Sequence, residues 1–392
     1  MPSQAFLVAG GGIAGLAMAR GLARSSHAVT VLEQAPVFEE IGAGLQLGPN
    51  AVKALKHLDA WEAIEGSTFA PPRIVIRDGH TGVVLQRIEL GRDFESRFGE
   101  PYRVIHRADL LAGLLAAVQA SSGIVLKPGK RLIGYERTEL GVAAKTAGGE
   151  ILRASALIGA DGVHSAVREK LLGDGLARFA GQVLFRALVP LSRMPADLDY
   201  TAVSIWLCRG AHLVHYPVSA GKNLNIVAAA NSSWNQEGWS AGADASQVRA
   251  CFPSCHRSVD LILTAPKTWT SWAGAWRRPV RSWSEGRVTL IGDAAHPMLP
   301  FLAQGAAMAL EDAAVLSTIL SVDRDIPKAF ENYESQRLAR TARAVRMSCR
   351  QGYAYHASGP LRLARNVILR ALSSDAILSR LAWLYGWRPL ER

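Results

Sequence analysis

The chain begins with an apolar run of strand length, Phe6-Leu7-Val8-Ala9, then a cluster of glycines, then the helix-like run Leu16-Ala17-Met18-Ala19. Val29-Thr30-Val31-Leu32 reads as the next strand. Strand, turn, helix, strand in that order predicts the start of a parallel α/β sheet. Ile74-Val75-Ile76 and Val83-Val84-Leu85 alternate enough to be strands, and Ala108 to Ala120 is an apolar-rich helix. Ile124-Val125-Leu126 and Ala156-Leu157-Ile158 read as strands returning to the first sheet. From about residue 178 to 275 the character changes. Short runs such as Val183-Leu184-Phe185, Val203-Ser204-Ile205-Trp206 and Asn225-Ile226-Val227 are separated by Gly, Asn, Ser and Pro, which predicts a mainly antiparallel insert. Arg287-Val288-Thr289-Leu290-Ile291 resumes the first sheet, and the rest reads as largely helical. No internal repeat or long low-complexity linker interrupts the pattern. The expected architecture is α/β. One discontinuous domain takes residues 1–177 and 276–392, including the C-terminal helices. An inserted antiparallel β domain over residues 178–275 bears the substrate.

The glycine cluster adds chemistry. In Gly10-Gly11-Gly12-Ile13-Ala14-Gly15, Gly10 permits a tight turn, Gly12 lets the backbone approach a pyrophosphate, and Gly15 lets helix and strand pack closely. The helix start offers unpaired N–H groups and a positive dipole end to phosphates. Glu33 sits at the carboxyl end of the second strand. A carboxylate there hydrogen-bonds a ribose hydroxyl and repels a 2′-phosphate, so a Rossmann-like site for FAD or NAD is expected rather than one for NADP. Two later turns carry Asp: Gly159-Ala160-Asp161-Gly162 and Gly292-Asp293-Ala294-Ala295-His296-Pro297. Taken singly, either Asp is as readily a turn or helix cap.

Composition narrows the partners. The chain has 392 residues, enough for two or three domains, with 49% hydrophobic and 20% charged residues, as in a globular soluble protein. No run approaches the roughly 18 consecutive apolar residues of a membrane span. The glycine turn comes where a secretory signal would lie, so a cytoplasmic protein is expected. The four cysteines form no CxxC pair. Cys251, Cys255 and His256 lack a second ligand pair, so no metal site is expected. The formal charge is +11. Arg337, Arg340, Arg343, Arg346 and Arg350 recur at helical spacing and read as a solvated basic face. No nucleic-acid motif accompanies them, and a positive field suits anionic small molecules.

In their order, GGGIAG, Glu33, HRADL (106–110), GADGVHSAVR (159–168) and LIGDAAHPMLPFLAQGAAMALEDA (290–313) resemble the FAD-dependent aromatic-ring monooxygenases, across nearly the whole chain. The salicylate hydroxylase, 3-hydroxybenzoate 6-hydroxylase and 6-hydroxynicotinate 3-monooxygenase group looks nearest. The resemblance implies that Asp161 serves the FAD pyrophosphate region and NAD(P)H use, that Asp293 bonds the ribityl chain, and that Arg107 lies near the FAD backbone. It puts Gly305 and Ala306 where N–H groups approach the flavin pyrimidine, a helix start suited to the anionic reduced flavin. Ala14, Gln34, Gln46 and Leu126 complete the candidate cofactor set. The implied reaction reduces FAD with NADH or NADPH, captures O2 as a flavin C4a-hydroperoxide and passes one oxygen atom to an electron-rich ring. With only one GxGxxG turn, the pyridine nucleotide is expected as a transient co-substrate. A homodimer is compatible with this reading.

His212 and Tyr216 are the candidate catalytic pair. On a strand, residues 212, 214 and 216 share one face while His215 points away. The His-x-x-x-Tyr spacing resembles that of the hydroxybenzoate and hydroxynicotinate enzymes, which implies a base or phenol-orienting role for His212, and for Tyr216 either a substrate hydrogen bond or the holding of His212. Pro300 and Phe301 are expected against the substrate. Three departures from the relatives stand here. Gln46 and Phe301 occupy positions where the hydroxynicotinate enzymes carry histidines, and Pro300 replaces a glutamine of 3-hydroxybenzoate 6-hydroxylase. His296 reads as structural. Two alternatives stay open. One is a hydroxylase or epoxidase of a larger apolar substrate, such as a quinone or isoprenoid, suggested by Phe301 and the apolar stretch from Leu361 to Leu390. That stretch serves equally to dock on the flavin domain or to form a subunit interface. The other is a non-catalytic dinucleotide-binding regulator.

Overall fold

The computed structural model describes residues 4–39, 43–196, 198–234, 236 and 238–391. A six-stranded sheet forms the first layer. Its order from one edge is Ser284–Glu285, Val288–Leu290, Ala156–Gly159, Ala5–Ala9, Ala28–Leu32 and Ile124–Lys127. All neighbours run parallel except the first pair. The sequential order reverses at Ala5–Ala9, so a crevice opens beyond the carboxyl end of that strand, where such sheets bind ligands.

The glycine turn fills this switch point. Gly10 has φ +104°, and a Cβ there would sit 2.3 Å from the Ala160 carbonyl oxygen. A Cβ on Gly15 would sit 1.8 Å from the Gly10 carbonyl oxygen, so helix Ile13–Ala23 packs against its strand only without a side chain.

The second layer is an eight-stranded sheet. Its order is Ser240–Ala243, Trp269–Trp276, Arg178–Pro190, Asn223–Asn231, Ala211–Val218, Val203–Leu207, Arg73–Asp78 and Val84–Glu89. Pairing is antiparallel except between Val203–Leu207 and Arg73–Asp78. The last two strands come from the stretch that the sequence pattern assigns to the first domain. The second layer therefore takes 73–89 as well as the expected 178–275. Local alternation identifies a strand but not its sheet, and a parallel partner more than a hundred residues away leaves no nearby signal.

Helix Gly305–Val322 is buried along most of its length, in the core that includes the six-stranded sheet and helix Ile13–Ala23. It is long and apolar enough to cross a membrane, but 78% of it is buried inside the protein. Glu311 and Asp312 are fully buried within it and are neutralised by partners. Arg337 reaches Glu311 at 2.6 Å and Asp312 at 2.7 Å, Arg340 reaches Glu311 at 2.6 Å, and His296 reaches Asp312 at 2.5 Å. Burial alone would raise the Asp312 carboxyl, but His296 and Arg337 hold it below its usual range. The solvated basic face expected for this helix is therefore corrected. Arg337 and Arg340 turn inward to pin helix Ile326–Tyr355 to the core helix, while Arg343, Arg346 and Arg350 stay exposed. His296 is structural, as expected. Arg337→Leu leaves two buried carboxylates short of a partner. Its expected cost is about 3–5 kcal/mol in denaturant unfolding with excess FAD.

Candidate active site

A single cavity of about 930 Å³ runs from the glycine turn to the inner face of the eight-stranded sheet. Its walls include Gly10, Gly12, Ala14, Glu33, Gln34, Gln46, Arg107, Asp161, Asp293, Gly305 and Ala306 from the candidate cofactor set. They also include His212, Tyr216, Pro300 and Phe301 from the candidate substrate set. Two candidates lie elsewhere. Gly15 stands behind the turn in its packing role, and Leu126 sits on the edge strand Ile124–Lys127, packed on the core rather than lining the cavity.

The first end of the cavity fits a dinucleotide. Helix Ile13–Ala23 begins at Gly12 with no side-chain cap, and a Cβ on Gly12 would meet nothing within 4 Å. The open side of that turn is a cradle for a pyrophosphate. Glu33 stands beside it, its carboxylate accepting from the Gly11 N–H at 2.7 Å and the Ala35 N–H at 2.8 Å. Asp161 caps helix Ala166–Leu172, accepting from the Ser165 hydroxyl and from the N–H groups of Ala166 at 2.8 Å and Val167 at 3.2 Å. Burial raises its carboxyl despite those donors. Its side chain is thus committed to holding the second turn in place, while the turn itself faces the cavity.

A second helix start points into the same space. Helix Gly305–Val322 has Gln304 at its N-cap position, with no side chain capping its first N–H groups. The Gln304 side chain accepts instead from Asn50 at 2.9 Å. Asp293 lies close by, its Oδ1 3.9 Å from where a Gly305 Cβ would be. Two uncapped helix starts, a carboxylate near each, and a continuous hollow between them match the pyrophosphate, ribose, ribityl and pyrimidine requirements of FAD. When bound, FAD would take electrons from NAD(P)H and use them to activate O2, one atom of which goes to the substrate.

The other end lies on the sheet. His212, Val214 and Tyr216 share the cavity face, and His215 points away to accept from the Trp206 indole at 3.1 Å. His212 is buried between the rings of Phe301, Tyr355 and His356. Its Nδ1 is 2.8 Å from His356 Nε2, and His356 Nδ1 is 2.7 Å from Asn231 Oδ1. A carbonyl oxygen only accepts, so His356 carries its proton on Nδ1 and accepts from His212 at Nε2. His212 is then protonated at Nδ1, which leaves the Nε2 lone pair for the cavity. Burial, then the neighbouring His356, pushes His212 well below the usual imidazole range, so it is neutral at physiological pH.

Tyr216 belongs to a different group. It hydrogen-bonds Gln46, and the Tyr102 hydroxyl donates to Gln46 Oε1 at 2.6 Å. Burial pushes the Tyr216 phenol upward, which keeps it a donor. Past this trio, Val214, Ile205, Ile74, Ile76 and Ile88 form an apolar floor. Leu369 and Leu372 at the end of helix Gly359–Ala371 and Ile377 and Leu381 of helix Ser374–Tyr385 roof it, so part of the apolar stretch 361–390 docks over the site, while Leu361, Leu363, Val367 and Ile368 stay exposed. Sequence reasoning missed Tyr102 and His356, and it offered docking of the C-terminal stretch without placing it over the substrate end. His356 follows His212 by 144 residues and closes a long helix, a position with no local signature.

Residues 4–348 match the FAD binding domain family. The chain belongs to that family and is an FAD-dependent aromatic-ring monooxygenase with NAD(P)H as reductant. It is 42% identical to 3-hydroxybenzoate 6-hydroxylase of Polaromonas naphthalenivorans, covering 97% of this chain and 95% of that one. With the 3-hydroxybenzoate 6-hydroxylase of Klebsiella oxytoca it shares 38% identity, over 97% of this chain and 96% of the other. A salicylate hydroxylase substrate complex superposes with a TM-score of 0.84 at 28% identity, covering 98% of this chain and 96% of that one.

Proposed function

We propose that the enzyme hydroxylates a small hydroxylated benzoate, with 3-hydroxybenzoate the leading substrate. One observation carries this reading: the strand Ala211–Val218 presents a hydrogen-bonding trio at one end of its cavity face and an unprotonated imidazole nitrogen at the other. The Cα atoms of residues 212 and 216 are about 13 Å apart on a strand. That span suits one substituted ring hydrogen-bonded at both ends. The Tyr216 hydroxyl and the Gln46 amide N–H would hold the carboxylate, with Tyr102 orienting Gln46 through its oxygen, and His212 Nε2 would take the phenolic proton. The phenolate pushes electron density onto its ortho and para carbons, the nucleophiles that accept an oxygen atom. Phe301 and the apolar floor exclude water from the ring. Glu33 and the Gly12 cradle would hold the adenosine half of FAD; Asp293, Gly305 and Ala306 would hold the flavin half. Arg107, Gln34 and Ala14 line the path between.

The apolar floor supports a second reading, in which the aromatic acid carries a hydrocarbon substituent. The test is oxygen-dependent consumption of NADH and of NADPH across hydroxybenzoates with and without alkyl groups, with products identified by mass. Turnover restricted to alkylated acids would favour the second reading; no turnover with any hydroxybenzoate would overturn both. Tyr102→Phe should raise the KM for 3-hydroxybenzoate roughly tenfold and change kcat little, because it releases Gln46, whose carboxylate contact is made equally in the ground and transition states. A cytoplasmic location follows from the same reading, since NAD(P)H is a cytoplasmic reductant. A homodimer is the proposed assembly, and light scattering measures it.

A further inference from the structure

His212 is a poor resting place for a proton. It is enclosed by Phe301, Tyr355 and His356, and no carboxylate faces it among the described residues. A charged imidazolium there would be desolvated without compensation. His356 is better placed. It is the C-cap of the 30-residue helix Ile326–Tyr355, and its N–H donates to the Gly352 carbonyl at 3.0 Å. The negative end of a helix favours a cation. Its Nδ1–H already points at Asn231, which is exposed at the end of its strand. We propose that His356 receives the proton that His212 takes from the substrate, so that the two imidazoles form a relay from the cavity to the solvent beside Asn231. This rests on reading His212 as the base.

The step conserves atoms and charge. The phenolic O–H breaks and its proton goes to His212 Nε2. The His212 Nδ1 proton moves to His356 Nε2. No electrons change hands: a phenolate and a His356 imidazolium replace a phenol and a neutral histidine. Among the described residues, the titratable groups set against His356 are His212 from the sheet and Arg365 from the next helix; Tyr355, beside it in the chain, packs its ring on His212. The Arg365 guanidinium is fixed by the carbonyls of Ala354 at 3.2 Å and Tyr355 at 3.0 Å, and by Asn366. Burial, then Arg365, holds His356 at about 4. The cation is therefore transient: Arg365 drives the proton onward to water. His356 acts through His212 and touches neither substrate nor flavin in this scheme.

The test needs no turnover. 3-Hydroxybenzoate is mixed with the FAD-loaded enzyme at about pH 8, without NAD(P)H, in a stopped-flow instrument with a pH indicator and no other buffer. The amplitude counts protons released per ligand bound, and the rate reports the path they take. The wild type should release roughly one proton. His356→Gln keeps an acceptor for the His212 Nδ1–H but cannot take a proton. It should slow the release roughly a hundredfold, with flavin content and melting temperature retained. Asn231→Asp, on the surface, should hold the proton on His356 and lower the amplitude. A wild-type rate from His356→Gln would overturn the relay, as would a wild-type amplitude from Asn231→Asp. If His212→Ala slows the release while His356→Gln releases as fast as wild type, the base stands and the relay falls. If His212→Ala also releases at the wild-type rate, the base reading falls with it.

Discussion

Gly12→Val abolishes FAD retention in an otherwise folded protein. The expected dissociation constant rises by at least ~100-fold, about 3 kcal/mol. The physical basis is that Gly12 has φ −76°, a conformation valine accepts, and that a Cβ there touches nothing. The substitution therefore costs the apoprotein little and only fills the space a pyrophosphate needs. Gly15→Val is the contrast. Its Cβ would overlap the Gly10 carbonyl, so the apoprotein itself should fail to fold. Apoprotein melting and FAD titration separate the two. A Gly12→Val protein that binds FAD normally would remove the cradle from the account.

His212→Gln lowers the rate of substrate oxygenation by about 10²–10⁴-fold, the usual worth of a positioned base. FAD content should stay unchanged, because residue 212 lies on the sheet side of the cavity. Reducing equivalents should then be lost to hydrogen peroxide rather than to product. Measuring hydroxylated product per NAD(P)H consumed detects this, and unchanged coupling would exclude His212 as the base.

The cofactor end was largely legible in the sequence because its chemistry is local. The glycine turn, the Glu33 strand end and the two Asp turns each announce a tight backbone by residue type, and all of them face the cavity. Asp161 shows the limit of such reading. Its side chain caps a helix, which the turn signature could not separate from a ligand contact. On the substrate side, the shared face of residues 212, 214 and 216 follows from strand geometry alone. What that face meets does not. Tyr102, His356 and the C-terminal roof arrive through tertiary folding, from elements whose own patterns are ordinary. Arg337 and Arg340 misled for a related reason: helical spacing says which residues share a face, and only the position of Glu311 and Asp312 decides that this face is buried. Strands 73–89 were recognised as strands, but their sheet was set by a distant parallel partner.

The central claim is that one cavity binds FAD and an ionised hydroxybenzoate so that oxygen passes between them. It is tested most directly by purifying the protein, recording its absorbance, and supplying 3-hydroxybenzoate, NAD(P)H and O2 labelled with the heavy isotope. The account predicts a yellow protein, and a dihydroxybenzoate carrying one labelled oxygen atom. A colourless protein that FAD does not reconstitute, or a yellow one that incorporates no label into any hydroxybenzoate, would contradict it.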